Sequence, residues 1–320
     1  MLVRHTKVSV IAPARLHMGF MDLSGSLGRH FGSIGVALNE HAIRLSVAQA
    51  SRRTVTGPSA RRAEHCLDML CRALNVPDRL KITIDSAIPE HVGLGSGTQM
   101  SLAIGSALNA CYGLGLSVRD IASVLDRGLR SGIGIGVFER GGLVVDGGRG
   151  EHTVTPPLLV RMAVPSDWRF ILAFDKRGQG LHGVQEVQAF DRLPPFPQEE
   201  AARLCYLLLM QALPAVAEND IVRFGEVIIR LQRSVGEHFA PAQGGVFTSP
   251  EVAEAMHWLA ERGAVAIGQT SWGPTGFCAL DGPDFAETLT REARVKFAHY
   301  NTLSFLTASA RNTGGDVLID

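Results

Sequence analysis

An eleven-residue turn, Pro89-Glu90-His91-Val92-Gly93-Leu94-Gly95-Ser96-Gly97-Thr98-Gln99, constrains this chain more than any other segment, because a strand pattern leads into it and a helix pattern leads out. Leu80, Ile82 and Ile84 alternate with polar residues as a half-buried strand does, and residues 100–110 supply a compact helix of small residues. Where a glycine-rich turn opens a helix, the first N–H groups lack intrahelical partners and face outward with the positive end of the macrodipole. An oxyanion is their natural occupant. Gly93, Gly95 and Gly97 remove side chains that would hold a ligand off the backbone. Leu94 and Gln99 complete the candidate phosphate-binding segment, and Ser96 and Thr98 offer hydroxyls for phosphate or a metal ion. Two commoner motifs do not fit. A P-loop requires Lys then Ser or Thr after its last glycine, where Thr98 and Gln99 stand, and a dinucleotide fingerprint requires a small residue at Thr98. The same glycines also suit a tight turn without a ligand, so the rest of the chain decides between the readings.

At 320 residues the chain is long enough for two domains, and its 46% hydrophobic and 19% charged residues match a globular enzyme. The expectation is a cytoplasmic protein, with no apolar run long enough to cross a bilayer and no signal-peptide pattern at the amino terminus. Thirty-one basic residues balance 31 acidic ones, which argues against a nucleic-acid surface; small anions remain suitable ligands. Only Lys7, Lys81, Lys176 and Lys296 are lysines, so arginine dominates the cations, a bias that suits bidentate anion recognition and that genomic base composition also produces. Cys66, Cys71, Cys111, Cys205 and Cys278 are scattered and odd in number, which predicts reduced thiols rather than disulfides or a thiolate metal site.

Strand patterns occupy residues 8–12, 43–47, 80–84 and 143–145, with helices over 63–74, after the glycine turn, and over 118–129. Beyond Pro156-Pro157 a strand at 170–174 precedes amphipathic helices over 198–212 and 220–239, the latter with Ile221, Phe224, Val227, Ile228 and Leu231 on one face. Ser249-Pro250-Glu251 predicts a helix start and Gly263 its end. Strands at 265–267, 279–280 and 317–319 and a helix over 284–294 complete an α+β chain, divided at residue 163 into segments 1–163 and 164–320.

Three segments in order, Ala12 through Asp22 (with Pro13-Ala14-Arg15-Leu16-His17), Pro89 through Gln99, and Thr270-Ser271-Trp272-Gly273-Pro274-Thr275-Gly276, resemble the signature motifs of the galactokinase, homoserine kinase, mevalonate kinase and phosphomevalonate kinase (GHMP) superfamily. The resemblance covers essentially the whole chain and implies a two-domain GHMP-kinase-like α+β fold, an N-terminal phosphate-binding domain followed by a C-terminal domain. Its middle loop would hold phosphates, and the loop of Gly273, Pro274, Thr275 and Gly276 would brace the site. A closer resemblance is to the β-ribofuranosylaminobenzene 5'-phosphate synthase family, through Pro13 to His17, Gly32 to Leu38, Arg130-Ser131-Gly132-Ile133-Gly134, and Phe138 to Gly148. Two departures from the kinases matter. The aspartate that often follows a Ser-Gly pair and serves the acceptor hydroxyl is absent, since Ile133 and Gly134 follow Ser131-Gly132. Gly97 replaces the second of the paired serines in the kinase phosphate loop, which leaves Ser96 or Thr98 to help a metal.

The related synthases, as the resemblance implies, join phosphoribosyl pyrophosphate to 4-aminobenzoate or 4-hydroxybenzoate. They release pyrophosphate and CO2 and form a C-riboside at an early step of tetrahydromethanopterin biosynthesis, with Mg2+ as the expected ion and a homodimer as the expected assembly. An ATP-dependent small-molecule kinase is the alternative. In an extended segment Arg15 and His17 share one face, with Asp22 at its end. Arg15 suits carboxylate or phosphate recognition or is a surface arginine. His17 donates to an anion, shuttles a proton or is a structural histidine. Asp22 is a metal or ribose ligand or a cap for the Ser24-Gly25 turn. Arg130 and Ser131 stand where the superfamily places its acceptor machinery, or are a loop arginine and a turn serine, and Asp146, a further catalytic candidate, also suits a turn cap before Gly147-Gly148. His182 and Glu186 at helical spacing read as a solvated face, and Trp272 as a packing residue or an aromatic wall.

Overall fold

The computed structural model describes residues 7–177, 193–271 and 273–319; Trp272, His182 and Glu186 lie outside the described residues. The chain opens with two long antiparallel strands, β1 (Val8–Asp22) and β2 (Phe31–Gln49), followed by β3 (Thr54–Thr56), α1 (Ala60–Leu74) and β4 (Leu80–Ser86). Next come α2 (Ser96–Tyr112), α3 (Val118–Val124), α4 (Ile133–Arg140), β5 (Leu143–Asp146), β6 (Leu158–Met162) and β7 (Trp168–Asp175). The second half holds α5 (Gln198–Ala217, with a π-helical turn at Leu208–Ala212), α6 (Ile221–Gln243), α7 (Pro250–Ala260), β8 (Val265–Gln269), β9 (Gly276–Asp281), α8 (Pro283–Lys296), β10 (Leu303–Ser309) and β11 (Asp316–Ile319).

Two sheets result. The first runs β11-β1-β2-β4-β3, with β5 on β2 and β6 on β5; the second runs β10-β7-β9-β8. The split at residue 163 therefore needs one amendment. The last strand of the 164–320 segment crosses back and pairs antiparallel with β1, Val8 opposite Ile319 and Ile11 opposite Asp316. Along β1, Val8, Val10, Ala12, Ala14, Leu16 and Met18 are almost fully buried, the period of a strand with one face on a core. Register shifts fall between Ala12 and Ala14, at Pro13, which has no N–H for the ladder, and between His17 and Gly19. One continuous apolar core runs from this sheet through α2 to Leu204 of α5 and Phe224 and Leu231 of α6, and a smaller one lies beneath α7 and α8.

Several elements are longer or shorter than their patterns predict. The first two strands extend to 15 and 19 residues because β2 is paired on both edges across its glycine-rich part, where Gly35 sits opposite both His17 and Val144. The third helix stops at Val124 rather than continuing to 129. Residues 133–140, glycine-containing and poor in helical signal, form α4, buried from Ile133 to Phe138. The expectation of no bilayer-length run meets one exception among the described residues: α5 is long and apolar enough by length and composition. It packs as an amphipathic helix, burying Ala201, Leu204, Leu208 and Ala212, with Glu200 held bidentately by Arg230 of α6 at 2.8 Å. The five cysteines are free thiols, four of them buried.

Candidate functional site

The glycine-rich turn joins β4 to the N-terminus of α2, as its pattern predicts. Gly95 caps the helix with a left-handed backbone, φ 82°, and has no side chain with which to accept from the first turn. The N–H groups of Ser96, Gly97 and Thr98 are thus left to a ligand by helical geometry. The backbone before them is aimed the same way. The Gly93 carbonyl accepts from the Arg15 guanidinium and from the Thr270 hydroxyl (2.9 Å), and the Leu94 carbonyl accepts from the Arg15 N–H (3.1 Å). Because a trans peptide points its C=O and N–H to opposite sides, both bonds turn the Leu94 and Gly95 N–H groups away from β1. Successive N–H groups on one side form an anion-binding concavity.

Two arginines complete it. A Cβ at Gly97 would lie 3.8 Å from Arg62 Nη1 and 3.9 Å from Arg127 Nη1, so a guanidinium from α1 and another from the turn after α3 flank the helix start. Arg62 Nη1 donates to Ser96 Oγ (3.0 Å) and its Nη2 pairs with Glu90 (3.4 Å), while Arg127 Nε donates to Ser101 Oγ (3.2 Å). Pattern reading missed both, since they come from separate helical segments and meet only in the fold. Among the described residues no cluster of three His, Cys, Asp or Glu side chains could hold a metal by itself. A magnesium ion bound chiefly by phosphates needs only one or two protein oxygens, and Ser96 and Glu90, gathered on one guanidinium, fit that donor set. The Thr98 methyl is turned to α4, 2.9 Å from where a Gly134 side chain would start.

The other candidates fall into two groups. Arg15 lies beneath the loop and shapes its backbone. His17, on the same face of β1, is 2% exposed; its N–H donates to Thr270 Oγ1 at 3.0 Å, so Thr270 links β1, the phosphate loop and the third motif. In that third motif Thr270 N–H donates to Thr275 carbonyl (3.0 Å) and Gly273 N–H to Thr270 carbonyl (3.0 Å), and Gly273, Pro274, Thr275 and Gly276 are buried behind Thr270. Asp22 accepts from Ser24 N–H (2.8 Å), Ser24 Oγ (2.6 Å) and Gly25 N–H (3.2 Å), the turn cap that was its structural reading. Arg130 and Ser131 lie in the turn into α4, and Ser131 Oγ accepts from Ile133 N–H (3.2 Å).

Two assignments are corrected by their surroundings. Asp146 is 1% exposed, with one oxygen accepting from Gly132 N–H (2.8 Å) and Ser131 Oγ (3.4 Å) and the other from Gly148 N–H (2.8 Å). Burial pushes its pKa up against those bonds, and it ties the start of α4 to β5 instead of facing a ligand. Gln99 is fully buried: its amide donates to Gly134 carbonyl (2.7 Å) and its N–H to Gly95 carbonyl (3.0 Å), so neither reaches the phosphate cradle.

His17 carries a pH consequence. Burial first, and the Arg15 charge second, lower its pKa from 6.5 to about 3. Below pH 6.5 the unfolded chain therefore binds a proton that the native chain refuses, and stability falls as pH drops toward 3. On the order of 4 kcal/mol is at stake. Urea unfolding of wild type and His17→Phe from pH 7 to 4 checks this; the variant is expected to lose stability less steeply with acid, and parallel curves would refute it.

Comparison with known proteins now bears on this geometry. The GHMP kinases N terminal domain matches residues 61–138 and the GHMP kinases C terminal domain residues 212–299. A β-ribofuranosylphenol 5'-phosphate synthase from Archaeoglobus fulgidus is 34% identical over 95% of this chain and 97% of its own length. The chain belongs to the β-ribofuranosylphenol 5'-phosphate synthase family. The family member of Methanothermobacter thermautotrophicus is 29% identical, over 84% of this chain and 87% of its own. As a member of the β-ribofuranosylphenol 5'-phosphate synthase family, this is a pentosyl-transferring enzyme on a GHMP-kinase fold. The fold is shared with homoserine kinase from Cytophaga hutchinsonii, 17% identical with a TM-score of 0.69 over 99% of both chains.

Proposed function

We propose that this enzyme condenses phosphoribosyl pyrophosphate with 4-hydroxybenzoate or 4-aminobenzoate, releasing pyrophosphate and CO2 and forming a C-riboside. The phenol in its relatives' names favours the hydroxy acid as acceptor. The observation that carries the reading is a cationic cradle at the start of α2 beside a position where the superfamily's acceptor aspartate is replaced by Gly134. Kinases of this superfamily often orient or deprotonate the acceptor hydroxyl with an aspartate after the Ser-Gly pair; its replacement here weakens the kinase alternative, and the Thr98 methyl lies 2.9 Å from the start of any Gly134 side chain. Decarboxylative transfer needs no such base. When the ring carbon bearing the carboxylate attacks the anomeric carbon, the electrons that restore aromaticity come from the breaking C–CO2 bond, so CO2 leaves where a proton otherwise would.

In this reading the first-turn amides of α2, Arg62 and Arg127 hold the departing diphosphate, and Arg15 and Thr270 act as positioning residues that keep the loop's N–H groups aimed. Ser96 and Glu90 would hold a magnesium ion beside the diphosphate, where it would supply charge neutralisation to the leaving group. We place the reaction in the cytoplasm, within tetrahydromethanopterin biosynthesis, and expect a homodimer, the commonest symmetric assembly.

Purified enzyme with phosphoribosyl pyrophosphate, magnesium and carboxyl-labelled 4-hydroxybenzoate is expected to release labelled CO2. Arg62→Ala and Arg127→Ala should each lower kcat/KM for the donor about 10- to 100-fold, the worth of one charge-assisted contact. No label from either benzoate, with turnover of ATP on a hydroxyl acceptor instead, would overturn the reading.

A further inference from the structure

Two hydrogen-bonded bridges cross from β1 to the third motif, and one of them runs through α6. The strands they join, β1 and β8, belong to different sheets, so no ladder sets their distance. The first bridge is direct, from His17 N–H to Thr270 Oγ1 at 3.0 Å. The second lies beside it: Gln232 of α6 donates its amide N–H to the Met18 carbonyl, and its oxygen accepts from Gln269 N–H at 2.8 Å. Adjacent residues, 17 and 18 on one strand and 270 and 269 at the end of the other, are thereby held at two points. One point fixes a distance and leaves a hinge; two fix the angle as well. Only a carboxamide completes the second bridge, because Met18 offers an acceptor and Gln269 a donor. An ionised glutamate has no proton to give, and an apolar side chain has neither group.

Both strands make room for the helix that carries this side chain. A Cβ at Gly268 would lie 2.4 Å from Gln232 Cγ and Cδ, and a Cβ at Gly19 would lie 1.8 Å from Leu231 Cδ2, so glycine stands on each strand where α6 comes closest. The far end of the bridge is anchored too, since Gln269 Oε1 accepts from Thr248 N–H (2.7 Å) and from the Thr248 hydroxyl (3.0 Å) ahead of α7. We propose that Gln232 is a positioning residue for the phosphate cradle. It holds Thr270 at the angle from which the threonine hydroxyl reaches the Gly93 carbonyl at 2.9 Å, and so keeps the Leu94 and Gly95 N–H groups aimed at the anion. The proposal rests on the phosphoribosyl-transfer reading for the identity of that anion. It adds a residue from the second half of the chain that touches no substrate and sets how tightly the donor is held.

The test uses inorganic pyrophosphate with magnesium, which probes the cradle whatever group is transferred, alongside steady-state kinetics with phosphoribosyl pyrophosphate. Wild type, Gln232→Glu and Gln232→Met are compared at pH 8 and pH 5.5. At pH 8 both variants are expected to raise the pyrophosphate Kd and lower donor kcat/KM by about 10- to 100-fold, the scale on which misplaced binding groups cost rate. At pH 5.5 the carboxyl of Gln232→Glu, half-buried and facing the Met18 carbonyl, takes up a proton and can donate again. Its values should then return to within threefold of wild type at the same pH, while Gln232→Met stays low; a loss of packing alone does not respond to pH in this way. If either variant fails to fold by circular dichroism, Gln232→Asn, too short to reach both partners, replaces it with the same expected loss at both pH values. Folded variants whose pyrophosphate Kd stays within twofold of wild type at pH 8, or a Gln232→Glu loss that is the same at both pH values, would overturn the proposal. A wild-type protein that binds pyrophosphate but transfers no ribose would instead overturn the phosphoribosyl-transfer reading and leave the titrations to decide the role of Gln232.

Discussion

Gly97→Asp is expected to abolish transfer while leaving the protein at least as stable as wild type. Gly97 is in the first turn of α2 and the nearest atoms to a Cβ there, the Arg62 and Arg127 guanidinium nitrogens at 3.8 and 3.9 Å, are at ordinary contact distance. An aspartate fits without displacing backbone and pairs with both cations. It also gains about 0.3–1 kcal/mol from a negative charge at a helix N-terminus and loses none of the core. On the proposed function the same carboxylate takes the place of the donor's diphosphate and neutralises Arg62 and Arg127. Losing two charge-assisted contacts of about 1.5–3 kcal/mol each predicts a fall in kcat/KM for the donor of roughly a thousandfold or more. Thermal melting and donor titration measure the two effects together. A variant that keeps a tenth of wild-type donor kcat/KM would place the diphosphate elsewhere.

Asp146→Ala should produce the largest loss of stability, about 3–5 kcal/mol, because it strips a buried carboxylate from the amides of Gly132 and Gly148 and leaves both without acceptors. Asp146→Asn keeps the volume but turns a donor toward one of those amides, and about 1.5–3 kcal/mol should go. Urea unfolding gives the values. Since the carboxylate faces α4 and β5 instead of the cradle, folded Asp146→Asn should keep kcat within a few-fold. A hundredfold fall in kcat with unchanged stability would return Asp146 to the chemistry.

How much of this was legible in the sequence depended on how local each signal is. The turn from Pro89 to Gln99, its strand and helix, and the buried face of α6 from Ile221 to Leu231 are readable because glycine spacing and apolar periodicity act within a dozen residues. The motifs placed Arg15 and His17 on one face of a strand, and the structure has them there. Arg62 and Arg127 carried no local mark, since an arginine on an exposed helix and one in the same turn as Arg130 look like solvated surface until the fold brings them to Gly97. Asp146 and Gln99 misled for the opposite reason. Polar residues beside glycines suit a ligand or a buried clamp equally, and only burial, at 1% and 0% exposure, separates the two. The α4 helix escaped because Gly134 and Gly136 erase its propensity, while packing on every side restores it.

The Gly93 carbonyl, shared by Arg15 from the first strand and Thr270 from far along the chain, has a consequence for biogenesis. During translation the glycine turn leaves the ribosome some 175 residues before its brace, as Thr270 is 177 residues beyond Gly93. A nascent chain therefore carries the glycine turn and its neighbouring arginines before the residue that braces the loop has been made.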